Sequence, residues 1–213
     1  MAELQNNPLG NLKGKMGNLV ASNWRDINYL KAKPKKSTKE RSESQVIALE
    51  KFRMIQEFLV QIKQVVEIGF GNKYTGRSTA FNLAVKANKN ATAGTYPEIE
   101  IDYPAISLSN GNLTSCADPK VVAEAGTTIS ISWKELGQVQ QQQASDLTTI
   151  VVYDANKKVH AIYGGQARSE YLAEITLPES FAGDQIYVWM FFSTASGDKN
   201  SKTSYLGSVT VLA

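Results

Sequence analysis

The chain has 213 residues and a mass of 23.3 kDa, with 42% hydrophobic and 20% charged residues. This length suits one large domain or two small ones with a real core, and the composition excludes a disordered, collagenous or membrane-embedded chain. The single cysteine, Cys116, and single histidine, His160, exclude an internal disulfide and a cysteine-based zinc site, and they leave little for histidine-centred chemistry.

The formal net charge of +3 is unevenly distributed along the chain. Residues 1–95 carry 16 Lys and Arg against 7 Asp and Glu, a net charge of +9. Residues 96–213 carry 7 against 13, a net charge of −6. This polarity is the best functional clue in the composition, because surfaces of opposite charge favour association.

The N-terminus lacks the basic start, apolar run and small-residue cleavage site of a secretory signal peptide. No stretch approaches the ~18 consecutive apolar residues of a membrane-spanning helix. We therefore expect a protein of the cytoplasm, or of a particle assembled there, with no membrane span.

The glycine-rich start of the chain has the pattern of a β-hairpin. Residues 18–24 alternate loosely, Arg25 and Asp26 provide a turn, and residues 27–33 return toward Pro34. Two strands alone are marginally stable in water, so this hairpin must pack or pair with something else.

A long helix of about 25 residues is predicted to begin near Ser42 and to stop at Gly69. Both Ser37-x-x-Glu40 and Ser42-x-x-Gln45 have the spacing of a capping box. Its apolar stripe repeats at intervals of three and four residues, at Phe52, Ile55, Leu59, Ile62 and Val66.

A shorter helix is plausible over residues 78–88, followed by a loop at 91–94. From residue 96 the apolar period changes to two, which indicates strands. The predicted strands are 98–103, 105–109, 127–133, 148–153, 159–163, 171–177, 185–192 and 205–211.

About seven strands separated by short turns are typical of an immunoglobulin-like or fibronectin type III-like sandwich, with Trp133 and Trp189 as core aromatics. The fold class is therefore α+β: an N-terminal β-hairpin and helices followed by an antiparallel β-sandwich. We expect a basic hairpin-plus-helices region at residues 1–94 and the sandwich at residues 95–213.

Several segments of the chain form a recognisable set: Gly14-Lys-Met-Gly17, Leu19-Val20, Trp24-Arg25, residues 27–34, Ala80-Phe-Asn-Leu-Ala, Gly94-Thr-Tyr-Pro97, Ile101-Asp-Tyr103 and Ser109-x-Gly111-x-Leu113. They resemble a family of unknown function from Bacteroidetes, whose members open with Gly-Lys-x-Gly…Trp-Lys-Gly…Arg-x-x-Pro and then a helix. Asp26 replaces the usual turn glycine, and Lys31 or Lys33 stands for the usual arginine. The resemblance covers essentially the whole chain and implies the architecture without an activity. The opening is also distantly similar to phage-associated proteins.

The basic run at residues 31–41 is the strongest candidate for function, with six basic residues and one acid. Clustered lysines beside aromatic residues can neutralise phosphates and stack bases. The plain alternative is a solvated linker before the helix. The candidate contact residues are Trp24, Tyr29, Lys31, Lys33, Lys35, Lys36, Lys39 and Arg41.

Three acids, Glu98, Glu100 and Asp102, are expected on one face of a strand. Paired carboxylates can perform acid–base chemistry or bind a hard cation, but no nucleophile, histidine or base accompanies them in the sequence. A solvated face is the plain interpretation. An acidic row that accepts a basic partner fits the charge distribution better.

Other candidates for chemistry are weak. The loop Gly71–Ser78 nearly matches a phosphate-binding loop, but Arg77 replaces the required lysine and the loop follows a helix. His160 lies in a predicted strand without a partner, and Cys116 lacks a strong basic activator. We therefore expect no enzyme, no catalytic residue, no metal and no cofactor.

The leading hypothesis is a non-enzymatic structural subunit that self-assembles head to tail into an oligomer, filament or particle through its basic arm. The alternative is a nucleic-acid-binding accessory protein that uses the same basic run. A further alternative is a sandwich that binds a surface or glycan through loops such as 138–147 or 195–202. No small-molecule substrate is inferred.

Overall fold

The computed structural model divides the chain into two compact units, Met1–Val46 and Ile47–Ala213. For residues 2–4 it describes the backbone, and the other described residues are 13–24, 27–35, 39–71, 78–134 and 143–212. Among the helices of these residues, none is long and apolar enough to cross a membrane.

The first unit contains an antiparallel sheet with the strand order β1-β4-β3-β2. Its strands are β1 (Ala2–Leu4), β2 (Gly14–Met16), β3 (Leu19–Trp24) and β4 (Ile27–Ala32). The predicted hairpin is confirmed as the pair β3–β4. Its turn residues, Arg25 and Asp26, lie outside the described residues. The strands β1 and β2 flank the hairpin and extend it to a four-stranded sheet. The added pairing stabilises the hairpin, because two strands alone are only marginally stable in water.

Three helices follow: α1 (Glu43–Gln61), α2 (Lys63–Gly71) and α3 (Ala80–Ala87). The predicted cap before α1 is confirmed. The Gln45 N–H donates to Ser42 Oγ at 3.4 Å, and the Ser42 N–H donates to Gln45 Oε1 at 3.2 Å. Ser37, of the other predicted capping box, lies outside the described residues.

The single long helix predicted from Ser42 is interrupted at Ile62. The apolar spacing continues through the interruption without a change of phase, so periodicity could not reveal it. Phe52, predicted in the buried stripe, is 50% exposed, because the residues of α1 that pack on the neighbouring sheet begin at Ile55.

Gly69 lies inside α2 and is not the predicted stop. The end of this helix is held by contacts distant in sequence: the Asn110 N–H donates to the Gly69 carbonyl at 3.1 Å, and Asn200 Nδ2 donates to the Ile68 carbonyl at 2.7 Å. A Cβ at position 69 would collide with the carbonyl oxygen of Leu108, so glycine serves close packing there.

In the described part of the sandwich, seven strands form two antiparallel sheets, β11-β8-β7 and β10-β9-β12-β13. This is the strand order of a fibronectin type III-like fold, so the chain is α+β as predicted. The strands are β7 (Ala117–Glu124), β8 (Thr128–Lys134), β9 (Leu147–Asp154), β10 (Val159–Ala167), β11 (Leu172–Thr176), β12 (Gln185–Ser193) and β13 (Ser204–Thr210).

The first strand of the sandwich was not predicted. It is β7, which carries Pro119 and an irregular register with β8 between Ala117 and Lys120, features that weaken a strand signal. The acidic strand predicted to open the sandwich is instead β6 (Glu98–Ile101), which pairs with β5 (Thr92–Thr95) in a separate two-stranded sheet. The predicted loop at 91–94 therefore contributes to β5.

The strand predicted at 105–109 does not form, because side chains, and not a neighbouring strand, hydrogen-bond to its backbone groups. The Ser107 N–H donates to Asn88 Oδ1, and Asn88 Nδ2 donates to the Ser107 carbonyl, each at 2.7 Å. The Leu108 and Ser109 N–H groups donate to Thr203 Oγ1 at 2.8 and 2.7 Å. The segment thereby links α3 to the start of β13 without joining a sheet.

The central strands β9 and β12 of the four-stranded sheet are buried on both faces, so the second unit has three layers. One face meets the three-stranded sheet through residues such as Val152 and Val188. The other face meets α1 and α2 through Val151 and Trp189. Trp189 was predicted in the sandwich core, but it packs on the opposite face of the sheet, among the residues of α1 and α2. Successive side chains of a strand point to opposite faces, and the neighbouring Val188 faces the three-stranded sheet. Trp133 does lie in the sandwich core.

Candidate assembly interface

The N-terminal sheet presents one face that is rich in basic and aromatic residues. Residues opposite each other on neighbouring strands project to the same side. Trp24 opposes Ile27, Tyr29 opposes Ser22, and Lys31 opposes Val20, which in turn opposes Lys15. Because residues two apart on a strand share a face, all seven side chains lie together.

Three of the candidate contact residues thus share this basic and aromatic face. Trp24 is 47% exposed, and the Lys31 ammonium lies 6.0 Å from the centre of the Tyr29 ring. At this distance the ring attracts the cation weakly. A planar ring beside ammonium groups can contact an acidic protein surface or a nucleic acid.

The opposite face of the same sheet is mainly apolar. Leu19 opposes both Met16 and Ala32, and Ala21 opposes Leu30. Met16 is 54% exposed and Leu19 is 43% exposed. Two exposed apolar side chains in adjacent strands form a patch that favours contact with another apolar surface.

The sheet lacks a core of its own. Of the described residues from 13 to 46, Ala21 alone is buried. Neither of the two hydrophobic clusters formed by buried residues includes a residue of this unit. An antiparallel sheet normally buries at least one face.

The basic run continues from this sheet as an exposed segment at residues 33–35. Lys31, Lys33 and Lys35 are all exposed, and the Lys33 N–H prolongs the ladder by donating to the Asn18 carbonyl at 2.8 Å. Lys36 lies outside the described residues. The last two candidates, Lys39 and Arg41, are exposed just before α1.

The acidic row occupies β6 and the residue that follows it. Glu98 and Glu100 are exposed, and Ile99 between them is buried, so the two carboxylates share the outer face of the β5–β6 pair. Asp102 lies beyond the strand, is half-buried and donates its N–H to the Ala91 carbonyl at 3.2 Å. The exposed part of the row therefore consists of two residues.

Sequence reasoning missed an aromatic cluster directly after this row. Tyr103 stacks on Tyr187 with ring centres 4.0 Å apart, and its ring also contacts Phe58 and Tyr153 at 6.1 and 5.9 Å. Burial, reinforced by Tyr153, Tyr187 and Glu100, raises the pKa of Tyr103 to about 12. The dispersed tyrosines in the sequence were the available signal, but only folding brings them together.

Of the remaining candidates for chemistry, Cys116 and His160 belong to the described residues. Burial raises the pKa of the Cys116 thiol to about 12, although Arg168 nearby lowers it, so the residue is a neutral thiol at physiological pH. Most of the near phosphate loop, residues 72–77, lies outside the described residues. Across the described part of the chain, no three His, Cys, Asp or Glu side chains could jointly hold a metal ion.

The loops suggested for surface binding do meet, in part. A groove of about 340 Å³ is lined by Gly111–Leu113, Gln143 and Asp198–Asn200. Residues 138–142 of the first suggested loop lie outside the described residues. The lining is mainly polar and shows no aromatic residue on which a sugar ring could stack.

Known structures similar to this chain include fibronectin type III domains. A crystal structure of chicken CNTN1 FN1-FN3 domains has a TM-score of 0.38 and 11% identity, and the match covers 49% of this chain and 34% of that one. The fn3 domain of human collagen alpha-1(XX) chain has a TM-score of 0.34 and 15% identity, covering 49% and 90%. The chicken interferon gamma receptor alpha chain has a TM-score of 0.37 and 9% identity, covering 57% and 64%.

This chain therefore spans about a third of the chicken CNTN1 structure. The TM-scores are below 0.5, so the fold rests on the strand order of the two sheets. No curated protein matches the sequence. A family model described as a family of unknown function (DUF6266) matches residues 11–207. Membership of a family of unknown function is thereby confirmed; an origin in Bacteroidetes and a link to phage stay predictions.

Proposed function

Since the chain belongs to DUF6266, a family of unknown function, we propose from its own surfaces that it is a non-enzymatic structural subunit. It assembles with copies of itself through the N-terminal sheet and the basic segment that follows. The proposed assembly is an oligomer, filament or particle formed in the cytoplasm.

The observation that carries this proposal is the missing core of the N-terminal sheet. Its apolar face exposes Met16 and Leu19, and Ala21 alone is buried among the described residues of 13–46. Burial of apolar area contributes about 25 cal/mol per Å², so a neighbour that covers Met16 and Leu19 would stabilise the sheet.

Charge favours a second copy as that neighbour. Residues 1–46 carry nine Lys and Arg against four Asp and Glu, a net charge of +5, and residues 47–213 carry 14 against 16, a net charge of −2. The exposed Glu98 and Glu100 offer an acidic surface to the basic segment. A positive surface that contacts a different, negative surface on the next copy is a heterologous contact, which builds rings or filaments.

The test uses the full-length protein in sedimentation velocity, light scattering and electron microscopy. The wild-type chain is expected to form assemblies whose size grows with protein concentration and shrinks with salt, because salt screens charges. Met16→Asp/Leu19→Asp places two charges on the apolar face and is expected to leave a monomer.

The matched control is Val122→Asp, which places a charge at an apolar residue of β7 that is 56% exposed. It should assemble as the wild type does. A wild-type chain that stays monomeric at every salt and protein concentration tested would overturn the proposal.

A second candidate function, nucleic-acid binding, is favoured by the basic and aromatic face. Trp24 and Tyr29 lie on the same face as Lys15 and Lys31, and rings flanked by ammonium groups can stack bases and neutralise phosphates. Binding would weaken steeply with salt and would be lost in Lys31→Ala/Lys33→Ala/Lys35→Ala. Absence of retention of single-stranded DNA and RNA at low salt would exclude it.

The surface- or glycan-binding alternative is supported by the sandwich fold and by the polar groove that Gln143 and Asp198–Asn200 help to line. Fold by itself does not imply function. It therefore ranks below the other two.

A further inference from the structure

A groove of about 350 Å³ lies in the second unit, beside the acidic row. It is lined by α1, by the end of β6 with Tyr103, and by the end of β9 with the turn after it. Its most buried lining residues are Phe58 and Tyr153, whose rings meet edge to face with centres 5.0 Å apart. The volume is at the lower end of the range for ligand sites, so a single long side chain fits it.

Two carboxylates line this aromatic groove. Glu57 comes from α1 and Glu100 from β6, and both are exposed. Glu57 has an i,i+4 contact with Arg53 at 3.9 Å between exposed side chains, which contributes little. Lys158 also lines the groove and reduces its negative charge. The net charge of the lining is therefore −1.

The phenols of the groove donate and accept hydrogen bonds but bring no charge at physiological pH. Burial is the main cause that raises the pKa of Tyr103 to about 12, and the negative charge of Glu100 also contributes. The Tyr153 hydroxyl lies 3.3 Å from Gln61 Oε1, to which it donates. Among the described residues that line the groove, the anionic groups are thus Glu57 and Glu100.

This lining fits a cation on an aliphatic stem. The methylenes of a lysine pack on aromatic rings while the ammonium stays at the rim, where carboxylates and ring faces both attract it. We propose that the groove receives a lysine from the basic segment, residues 31–35, of a second copy of the chain. This inference rests on the assembly described under Proposed function.

The spacing of the charges supports this occupant. In an extended chain, residues two apart lie on one side at roughly 7 Å. Lys31, Lys33 and Lys35 follow one another at intervals of two residues in the sequence, and Glu98 and Glu100 have the same interval. Two lysines can therefore face both glutamates while one of them enters the groove next to Glu100. Pro34 has no N–H, so side chains rather than a continuous ladder supply the contact.

The first test compares the wild-type chain with Glu57→Gln/Glu100→Gln, which keeps the shape of the groove and removes its charge. The protein concentration needed for half-maximal assembly should rise about tenfold, as expected for one or two lost ion pairs. Glu124→Gln/Glu174→Gln removes two exposed carboxylates from the three-stranded sheet and should leave this concentration unchanged.

The second test reverses the charges. Glu57→Lys/Glu100→Lys and Lys33→Glu/Lys35→Glu should each fail to assemble alone. An equimolar mixture should assemble, because each groove then meets a segment of opposite charge. Lys158→Gln, which makes the groove more acidic, should assemble at a lower concentration than the wild type.

The outcomes separate this inference from the function on which it rests. A wild-type chain that stays monomeric overturns the assembly itself. A wild-type chain that assembles, with glutamine variants that assemble equally well and a charge-reversed mixture that gains nothing, overturns the groove as the lysine site and leaves the assembly standing.

Discussion

The side chain of Asn200 donates a hydrogen bond to the carbonyl oxygen of Ile68 at 2.7 Å, across 132 positions of sequence. A second bond from the same amide nitrogen reaches the Gly69 carbonyl at 3.1 Å. One buried asparagine in the turn after β12 thus donates to two carbonyls near the end of α2, and the Gly69 carbonyl also accepts the Asn110 N–H.

Asn200→Ala should destabilise the protein by about 1–3 kcal/mol, because buried carbonyls lose their donor. The measurement is the free energy of unfolding in urea. Lys199→Ala, at the exposed neighbouring position, should change it by less than about 0.5 kcal/mol. Equal losses in the two variants would contradict the importance of this bond.

The Arg168 guanidinium is buried at 1% exposure, 3.3 Å from Asp146 and 3.7 Å above the Phe192 ring. Arg168→Met should cost about 3–5 kcal/mol, because it leaves the buried Asp146 carboxylate without its counter-charge. The change in unfolding free energy at pH 7 measures this.

The same variant should depend on pH. Burial raises the pKa of Asp146, and Arg168 opposes that shift. A carboxyl whose pKa is raised in the folded state loses its stabilising contribution as pH rises from about 4 toward neutrality. Without Arg168 the pKa rises further, so Arg168→Met should lose more stability at pH 7 than at pH 4. Adding Asp146→Asn should remove this difference; a loss that is independent of pH would argue against it.

Two glycines of α2 should respond in opposite directions to alanine. Gly69→Ala should destabilise by about 1–3 kcal/mol, because the new methyl group meets the Leu108 carbonyl and backbone must move. Gly71→Ala has open space and should stabilise by up to about 1 kcal/mol through helix propensity. Thermal unfolding of both variants, side by side, is the check, and a stabilising Gly69→Ala would refute the close packing.

Cys116 should be nearly unreactive in the folded protein. With the pKa at about 12, the thiolate fraction at pH 8 is on the order of a thousandfold below that of the unfolded chain. The rate of reaction with an aromatic disulfide reagent, measured with and without urea, tests this. Cys116→Ser provides the blank, and a native rate within tenfold of the unfolded rate would count against the burial of this thiol.

Much of the fold followed from local pattern. The β3–β4 hairpin, the cap at Ser42 and six of the seven sandwich strands are visible in sequence because turn residues, capping side chains and a period of two act over a few neighbouring positions. The strand β7 was not predicted, because Pro119 and residues of mixed polarity obscure the alternation of apolar and polar side chains along it.

The candidate interface was only partly predictable. Trp24, Tyr29 and Lys31 were chosen for their composition, and the pairing register then places them on one face, opposite Met16 and Leu19. Glu57, Glu100 and Tyr103 come from separate elements, so their common groove has no signature in sequence.

The sequence by itself determined where the charges lie, where six of the seven sandwich strands described by the structure form, and that a sandwich would result. Only the tertiary structure decided that β6 stays outside the sandwich, that Asn88 and Thr203 replace a strand ladder at residues 107–109, and that helices cover the second face of β9 and β12. The reason is physical: periodicity depends on neighbours along one chain segment, whereas the partner of a buried face or a backbone N–H depends on which distant segments reach it first.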